Sequence, residues 1–278
     1  GFYIFYILLL PMCLVFLDQL SKMGIAYLQR IESIPFISFG NIANQGFMLG
    51  GLANLTPVLR IVCASTLLGF IFFVFVLIQY LLIPKVISLR LGLSFIVGGI
   101  TGNVIDRAFL GYVRDFITII QGIYFNVADI FLGAGVLLAI YSLFAFKDIL
   151  WRRDCLRKGI LIQPKLQIAF SLKLTLITFA FSIVLSAFSI SFFKSLGIPS
   201  TQLIIYSVSL IALSGVFLIT TFIAGIFLSH RSVGPLYAFE KFIEGLVEGT
   251  NKAPFRLREG DNYKHLEIIA EKIRVRLK

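Results

Sequence analysis

The sequence predicts a mainly α-helical protein that crosses a membrane several times, and three observations carry that prediction. Of 278 residues, 58% are hydrophobic and only 14% are charged, where a soluble domain carries roughly 25% charged residues. The apolar residues run in blocks long enough to cross a hydrocarbon core of about 30 Å as single helices. Lys and Arg gather at the ends of those blocks, which is the pattern that sets topology and meets lipid headgroups. The formal charge of +11 is therefore a membrane feature. No basic, aromatic-rich surface of the kind nucleic acid needs accompanies it, so phospholipids and not nucleic acid are the expected charged partner.

The first apolar run, Phe2 to Leu20, ends in Asp18-Gln19-Leu20-Ser21-Lys22, where Asp18 and Lys22 have the i,i+4 spacing of a helix-end ion pair. From Arg30 to Gly51 the pattern breaks into short β-branched and aromatic pieces around Pro35, Gly40 and Gly46, which is turn and short-strand chemistry at the membrane surface. A second span, Val58 to Leu82, stops at Pro84, and Lys85 and Arg90 mark a cytoplasmic turn. The third, Leu91 to Phe109, is less apolar: Gly98, Gly99 and Gly102 thin its surface for close helix approach, and Asn103 and Asp106 enter near its end. Tyr112 to Ile120 alternates and is β-branched, so a strand is predicted, with Val113, Asp115 and Ile117 on one face. The fourth span, Asn126 to Phe146, opens on an N-cap residue that puts Asp129 in the first helical turn. Its exit carries Lys147, Arg152, Arg153, Arg157 and Lys158, a cytoplasmic cluster. Four spans with both ends inside bring Asp18, Asn44, Asp106, Asp115 and Asp129 together at the outer face.

Two more spans follow, Leu166 to Phe193 and Leu203 to Leu228, joined by a tight outward link at Lys194, Gly197 and Pro199. After His230 and Arg231 the composition turns soluble. Leu236, Phe239, Ile243 and Leu246 then keep the spacing of a helical seam, and Leu266, Ile269, Ile273 and Leu277 form a second. The chain thus divides into residues 1–150, a basic linker 151–165, a two-span hairpin 166–228 and a cytoplasmic module 229–278. Cys13, Cys63 and Cys155 lie too far apart for ligand spacing and read as packing residues.

Five ionisable residues, Asp106, Arg107, Arg114, Asp115 and Asp129, stand beside or within spans, where charge is expensive and usually lines a site or a watery cavity. Asp115 and Asp129 are the candidate catalytic pair, because two carboxylates sharing a proton can hydrolyse a peptide without a nucleophilic side chain. The helix terminus favours an anion at Asp129, which predicts Asp129 as base and Asp115 as the protonated acid. His230 and His265 both fall in the tail and no Cys/His cluster exists, so neither a metal nor a cofactor is expected. Taken singly, Asp129 reads equally well as a helix cap, and Asp106 with Arg107 reads first as an ion pair closing the third span. An ion path is disfavoured, since the charges cluster at one face and do not recur through the spans.

In order, the five motifs Asp18 to Lys22, Asn44 with Gly46, Gly98 to Arg107, Val113-Arg114-Asp115-Phe116 and Phe125-Asn126-Val127-Ala128-Asp129 resemble the prolipoprotein signal peptidase (signal peptidase II) family. These are aspartyl proteases of the bacterial inner membrane, and the likeness covers about residues 1–150. It implies Asp115 and Asp129 as the catalytic residues, with Asp18, Lys22, Asn44, Asn103, Asp106, Arg107 and Asn126 lining or bracing the pocket. It further implies a four-helix transmembrane core with a small extracytoplasmic β-cradle. The implied substrate is a diacylglyceryl-modified prolipoprotein, cut just before its lipidated Cys at the outer face. Phe47-Met48-Leu49 depart from the family after Gly46, and the Asp115 to Asp129 segment is short for it. Pro235, Glu259-Gly260-Asp261 and the two seams resemble a HAMP-type module, which implies a homodimer; two interfacial amphipathic helices are the plainer reading. The alternative for the whole chain is a non-catalytic membrane receptor or scaffold with that dimerising tail.

Overall fold

The computed structural model describes residues 4–28, 38–44, 55–82, 86–120, 123–146, 161–250, 253–257 and 262–276. Two compact units divide the chain, Gly1–Leu150 and Trp151–Lys278, each taken here by itself. Among the described residues six helices are long and apolar enough to cross a membrane, and a small antiparallel sheet accompanies them. This is a multi-pass membrane protein.

In the first unit the spans are α1 (Leu10–Leu28, entered through one π-helical turn at Phe5–Leu9), α2 (Pro57–Leu81), α3 (Ile87–Phe109) and α4 (Val127–Ala145). α3 is the least apolar of the spans and the most enclosed. The two facts have one cause. α1, α2 and α4 all pack on α3, so its polar residues meet protein and not lipid, the condition under which polar groups survive at membrane depth. Small residues make the contact close: a Cβ on Gly99 would collide with the Ala128 carbonyl oxygen, and one on Gly102 would lie 2.5 Å from Asp18 Oδ2.

The sheet comprises β1 (Ser38–Asn44), β2 (Val113–Ile120) and β3 (Ile123–Phe125) in that order, with β2 central and antiparallel to both neighbours. Its register pairs Asn44 with Val113, Ala43 with Arg114 and Ile42 with Asp115. β2 matches the alternation of Tyr112 to Ile120. β3 was not foreseen, because three residues are too few for a period to be legible.

Arg90 departs from the sequence expectation. It lies inside α3, which begins at Ile87 and not Leu91, and is only 2% exposed. Its guanidinium donates to the carbonyls of Gln79 at 2.8 Å and Leu82 at 2.7 Å and to Gln79 Oε1 at 3.1 Å. It therefore satisfies orphan carbonyls at the end of α2. Cys13 faces outward from α1 and Cys63 is half-buried. Pro35, Gly46 to Leu49, Lys85, the basic cluster Lys147 to Lys158, Cys155, Glu259 to Asp261 and Leu277 lie outside the described residues.

The second unit holds α5 (Pro164–Ser195), α6 (Ser200–Val247) and α7 (His265–Arg276). The α5–α6 hairpin turns at Gly197, whose φ of 73° suits glycine. The span expected to stop at Leu228 instead continues as one helix of 48 residues through Pro235 to Val247. Proline removes one backbone donor, but the turns after it bury Ala238 and Phe242 against Phe255, Leu257, Leu266 and Ala270, with Phe239, Ile243 and Leu246 beside them. That packing holds the helix together past Pro235. The seams are shifted from expectation as well: Leu236 is 51% exposed and Ile269 41%, while Ala238 and Ala270 take the buried positions.

The closeness of α3 to α1 is testable. Gly102→Ala should destabilise the first unit by about 1–3 kcal/mol through overpacking, read as a lowered Tm of the detergent-solubilised protein. An unchanged Tm would mean that α1 has room to retreat.

Candidate active site

One face of α1 presents Leu14, Asp18 and Lys22 at four-residue spacing, and all three are buried. One face of α3 presents Gly99, Gly102, Asn103 and Asp106 at three- and four-residue spacing, the helical period that stacks side chains, and these too are buried. Where the faces meet, Lys22 Nζ reaches Asp18 Oδ2 at 2.7 Å, Asn103 Oδ1 at 3.1 Å and Asp106 Oδ2 at 3.2 Å. The first two are hydrogen bonds donated by the ammonium, and the third is an ion pair. Asp18 Oδ1 accepts the backbone N–H of Ala128 at 2.9 Å, so a carboxylate from α1 takes one of the orphan donors at the N-terminus of α4, where the helix dipole favours it.

Asp106 is placed differently from the expected pair with Arg107. Among the described residues its ion partners are Lys22 at 3.2 Å and Arg114 at 2.6 Å. Neighbours on a helix do not face each other, whereas Lys22 and Arg114 approach from α1 and β2. Gln19 completes the cluster, donating to Asp106 Oδ1 at 3.2 Å and accepting from Arg114 Nη2 at 2.7 Å. Arg107 lies close enough for its charge to act on Asp129, Asp115 and Asp106. Its Nε is buried without a hydrogen-bond partner among the described residues.

The remaining polar residues converge on Asn126. It is the N-cap of α4, with extended backbone and 0% exposure. Its Oδ1 accepts the Asp129 N–H at 3.1 Å, and Asp129 Oδ2 accepts the Asn126 N–H at 3.1 Å, a reciprocal capping box. The Asn126 amide then donates to Asp115 Oδ1 at 2.6 Å and to Asn103 Oδ1 at 3.0 Å. Asn44, on β1, donates to Asp115 Oδ2 at 2.6 Å, and Asn103 donates to Asp129 Oδ1 at 2.8 Å. Two carboxylates from different elements thus meet one asparagine, and all four of their oxygens have donors.

Asp115 is 1% exposed. Burial pushes its carboxyl above the ordinary carboxylate range, the amides of Asn44 and Asn126 pull it back, and the Asp129 charge adds to the rise. Among the described residues no group of three or more His, Cys, Asp or Glu could hold a metal ion.

The approach to Asp115 is set by the turn after α3. Arg60, on α2, donates to the carbonyls of Ala108 at 3.0 Å and Phe109 at 3.1 Å, closing the end of α3. Gly111 then turns with φ of 89°, and a Cβ there would lie 2.7 Å from Arg60 Nη1. The sequence gives no individual role to Arg60 or Gln19, whereas Arg114 is among the five ionisable residues expected to line a site. Period two sets Arg114 on the strand face opposite Asp115, and the structure brings it to Asp106 and Gln19.

Residues 10–145 match the family model described as signal peptidase (SPase) II. The lipoprotein signal peptidase of Clostridium novyi (strain NT) is 35% identical over 140 residues, covering 46% of this chain and 91% of that protein. That of Clostridioides difficile (strain 630) is 38% identical over 147 residues, covering 49% and 94%. A solved structure titled as a bacterial membrane enzyme, obtained by the in meso method at 2.3 Å resolution, is 26% identical, with a TM-score of 0.40 over 55% of this chain and 94% of that one.

The buried charges make a sharp prediction. Lys22→Met leaves Asp18 and Asp106 without their shared cation, and breaking a buried pair costs about 3–5 kcal/mol. Thermal unfolding in detergent should show a large drop in Tm, whereas a surface Lys→Met change should show none.

Proposed function

Because this chain belongs to the signal peptidase II family through its first half, we propose that Asp115 and Asp129 are its catalytic pair. The activity is that of a lipoprotein signal peptidase, a protease acting on lipoprotein precursors in the membrane. The observation that carries the residue assignment is that one residue, Asn126, holds both carboxylates: its side-chain amide donates to Asp115 Oδ1 at 2.6 Å and its backbone N–H donates to Asp129 Oδ2 at 3.1 Å. It supports a pair held for one task, which neither a helix cap nor a simple ion pair requires.

In the mechanism we infer, Asp129 is the resting base and Asp115 the acid. Asp129 sits where the α4 N-terminus and the Asn103 amide suit an anion, and it takes a proton from the attacking water. Protonated Asp115 donates a hydrogen bond to the scissile carbonyl oxygen as charge develops there. The tetrahedral intermediate collapses when the amine nitrogen receives the proton held on Asp129, and the peptide bond breaks. Asn44 and Asn126 hold the acid, Asn103 and Asn126 hold the base, and Asp18, Lys22 and Asp106 fix the elements that bear them. Arg107, with an unused buried donor, is suited to a substrate carbonyl.

The substrate class proposed is a diacylglyceryl-modified prolipoprotein, cut just before its lipidated Cys. The site is assigned to the extracytoplasmic side of the bacterial inner membrane, on the argument that the basic stretch after α4 belongs in the cytoplasm. A four-helix core with the three-stranded sheet as its cradle is the architecture this reading uses. For the second unit we propose a two-span hairpin leading into a HAMP-like helical pair that forms a homodimer; the packing of α6 on α7 around Phe242 and Phe255 supports a folded module there.

Asp115→Asn and Asp129→Asn should each lower the cleavage rate by at least about a hundredfold, read as loss of the gel shift of a lipidated prolipoprotein; cleavage by either variant at the wild-type rate would exclude the pair. The pH profile has a defined sign. Protonated Asp115 is the active form and its pKa is raised, so activity persists above the usual Asp value of about 3.9 and is lost as pH rises through the raised value. Carboxyl-stretch infrared difference spectra should assign the shared proton to Asp115, and an ionised Asp115 beside a protonated Asp129 would reverse the roles. Light scattering of the full chain in detergent should give the mass of two copies, and a monomer mass would remove the dimer.

A further inference from the structure

Arg114 stands one residue before the proposed acid, and the mechanism above gives it no part. Its contacts are more numerous than a surface arginine needs. The guanidinium grips both oxygens of Asp106, Nη2 to Oδ1 at 2.6 Å and Nε to Oδ2 at 3.3 Å, and its own backbone N–H donates to Oδ2 at 3.0 Å. Nη2 also donates to Gln19 Oε1 at 2.7 Å, and Gln19 in turn bonds Asp18 Oδ2 and the Gly102 carbonyl, both at 3.1 Å. A single β2 residue is thereby fastened by main chain and side chain to α1 and α3 together. Asp106 is fully buried while the Arg114 side chain keeps 19% exposure, so the grip closes at the rim of the site.

The strand period gives this grip a consequence. Residues 114 and 115 point to opposite faces, and the neighbouring positions of β2 are also committed: Val113 pairs with Asn44, Asp115 pairs with Ile42, and Phe116 is buried. We propose that Arg114 is a positioning residue for the reaction, clamping β2 onto Asp106 so that the Asp115 carboxyl lies between the amides of Asn44 and Asn126. This rests on the peptidase reading for its kinetic effect but not for its structural one. A planar fork on a carboxylate fixes direction as well as distance, which a lysine in the same place cannot do. Displacement of a reacting group by about 1 Å can cost a hundredfold in rate.

The test compares wild type with Arg114→Gln and Arg114→Lys, using purified full-length protein and a lipidated prolipoprotein substrate. Arg114→Gln keeps the backbone bond to Asp106 but loses the fork, and its kcat should fall about ten- to a hundredfold with KM within about twofold. Arg114→Lys should recover part of the rate and not all of it. A wild-type kcat in Arg114→Gln, or a raised KM at unchanged kcat, would overturn the proposal. The infrared carboxyl band of Asp115, isolated by subtracting the Asp115→Asn spectrum, should move as its amide hydrogen bonds loosen in Arg114→Gln and sit between the two in Arg114→Lys. An unmoved band would overturn the proposal even if the rate fell. Should Arg114→Gln fail to fold, the lysine variant decides: a rate and band equal to wild type would overturn it. A wild-type protein that cleaves nothing would sink the peptidase reading, and the band would still decide the role of Arg114.

Discussion

The first unit depends on a buried cluster of two acids and two bases. Asp18, Lys22 and Asp106 have fully enclosed side chains, and Arg114 closes the set at 2.6 Å from Asp106. Ions at membrane depth are costly and need both partners and hydrogen bonds. Formal charge cancels here, and Gln19, Asn103 and the Ala128 N–H supply the remaining contacts. The members come from four elements: α1 gives Asp18, Gln19 and Lys22, α3 gives Asn103 and Asp106, β2 gives Arg114, and α4 gives a backbone donor. A cluster assembled this way fixes the mutual placement of four elements, which greasy contact between apolar helices would do only loosely, since lipid competes equally well for such surfaces.

The placement reaches the chemistry through short links. Lys22 touches Asn103, Asn103 holds Asp129 and accepts from Asn126, and Asn126 holds Asp115. Asn126 is the joint of the arrangement, because the same side chain that starts α4 also orients the strand carboxylate. Glycine makes the joint possible. A side chain at position 102 would displace the Asp18 carboxylate, and one at position 99 would push away the first turn of α4.

The second unit is held by a different kind of contact. α6 runs through Pro235 to Val247 and buries Ala238 and Phe242 against Phe255, Leu257, Leu266 and Ala270. That cluster is apolar, and an ion pair beside it, Lys241 with Glu244, is solvent-exposed and contributes little. Where the first unit is specified by a buried charge cluster, this end of the second is specified by the fit of apolar side chains.

Much of this was legible in the residues. Apolar run length gave the spans and period two gave β2. The i,i+4 spacing of Asp18 and Lys22 gave their ion pair, and Asn126 announced the start of α4. Membrane class, helical spans and the ionisable residues out of place in lipid could all be read from the chain, because each follows from local spacing and transfer free energy. The partners came from packing. It set Asp106 against Lys22 and Arg114 in place of its neighbour Arg107, turned Arg90 from a loop charge into a cap on α2, and carried α6 past Pro235. Those outcomes depend on which faces meet across dozens of residues of chain, and a buried charge takes whichever partner the packing brings within reach.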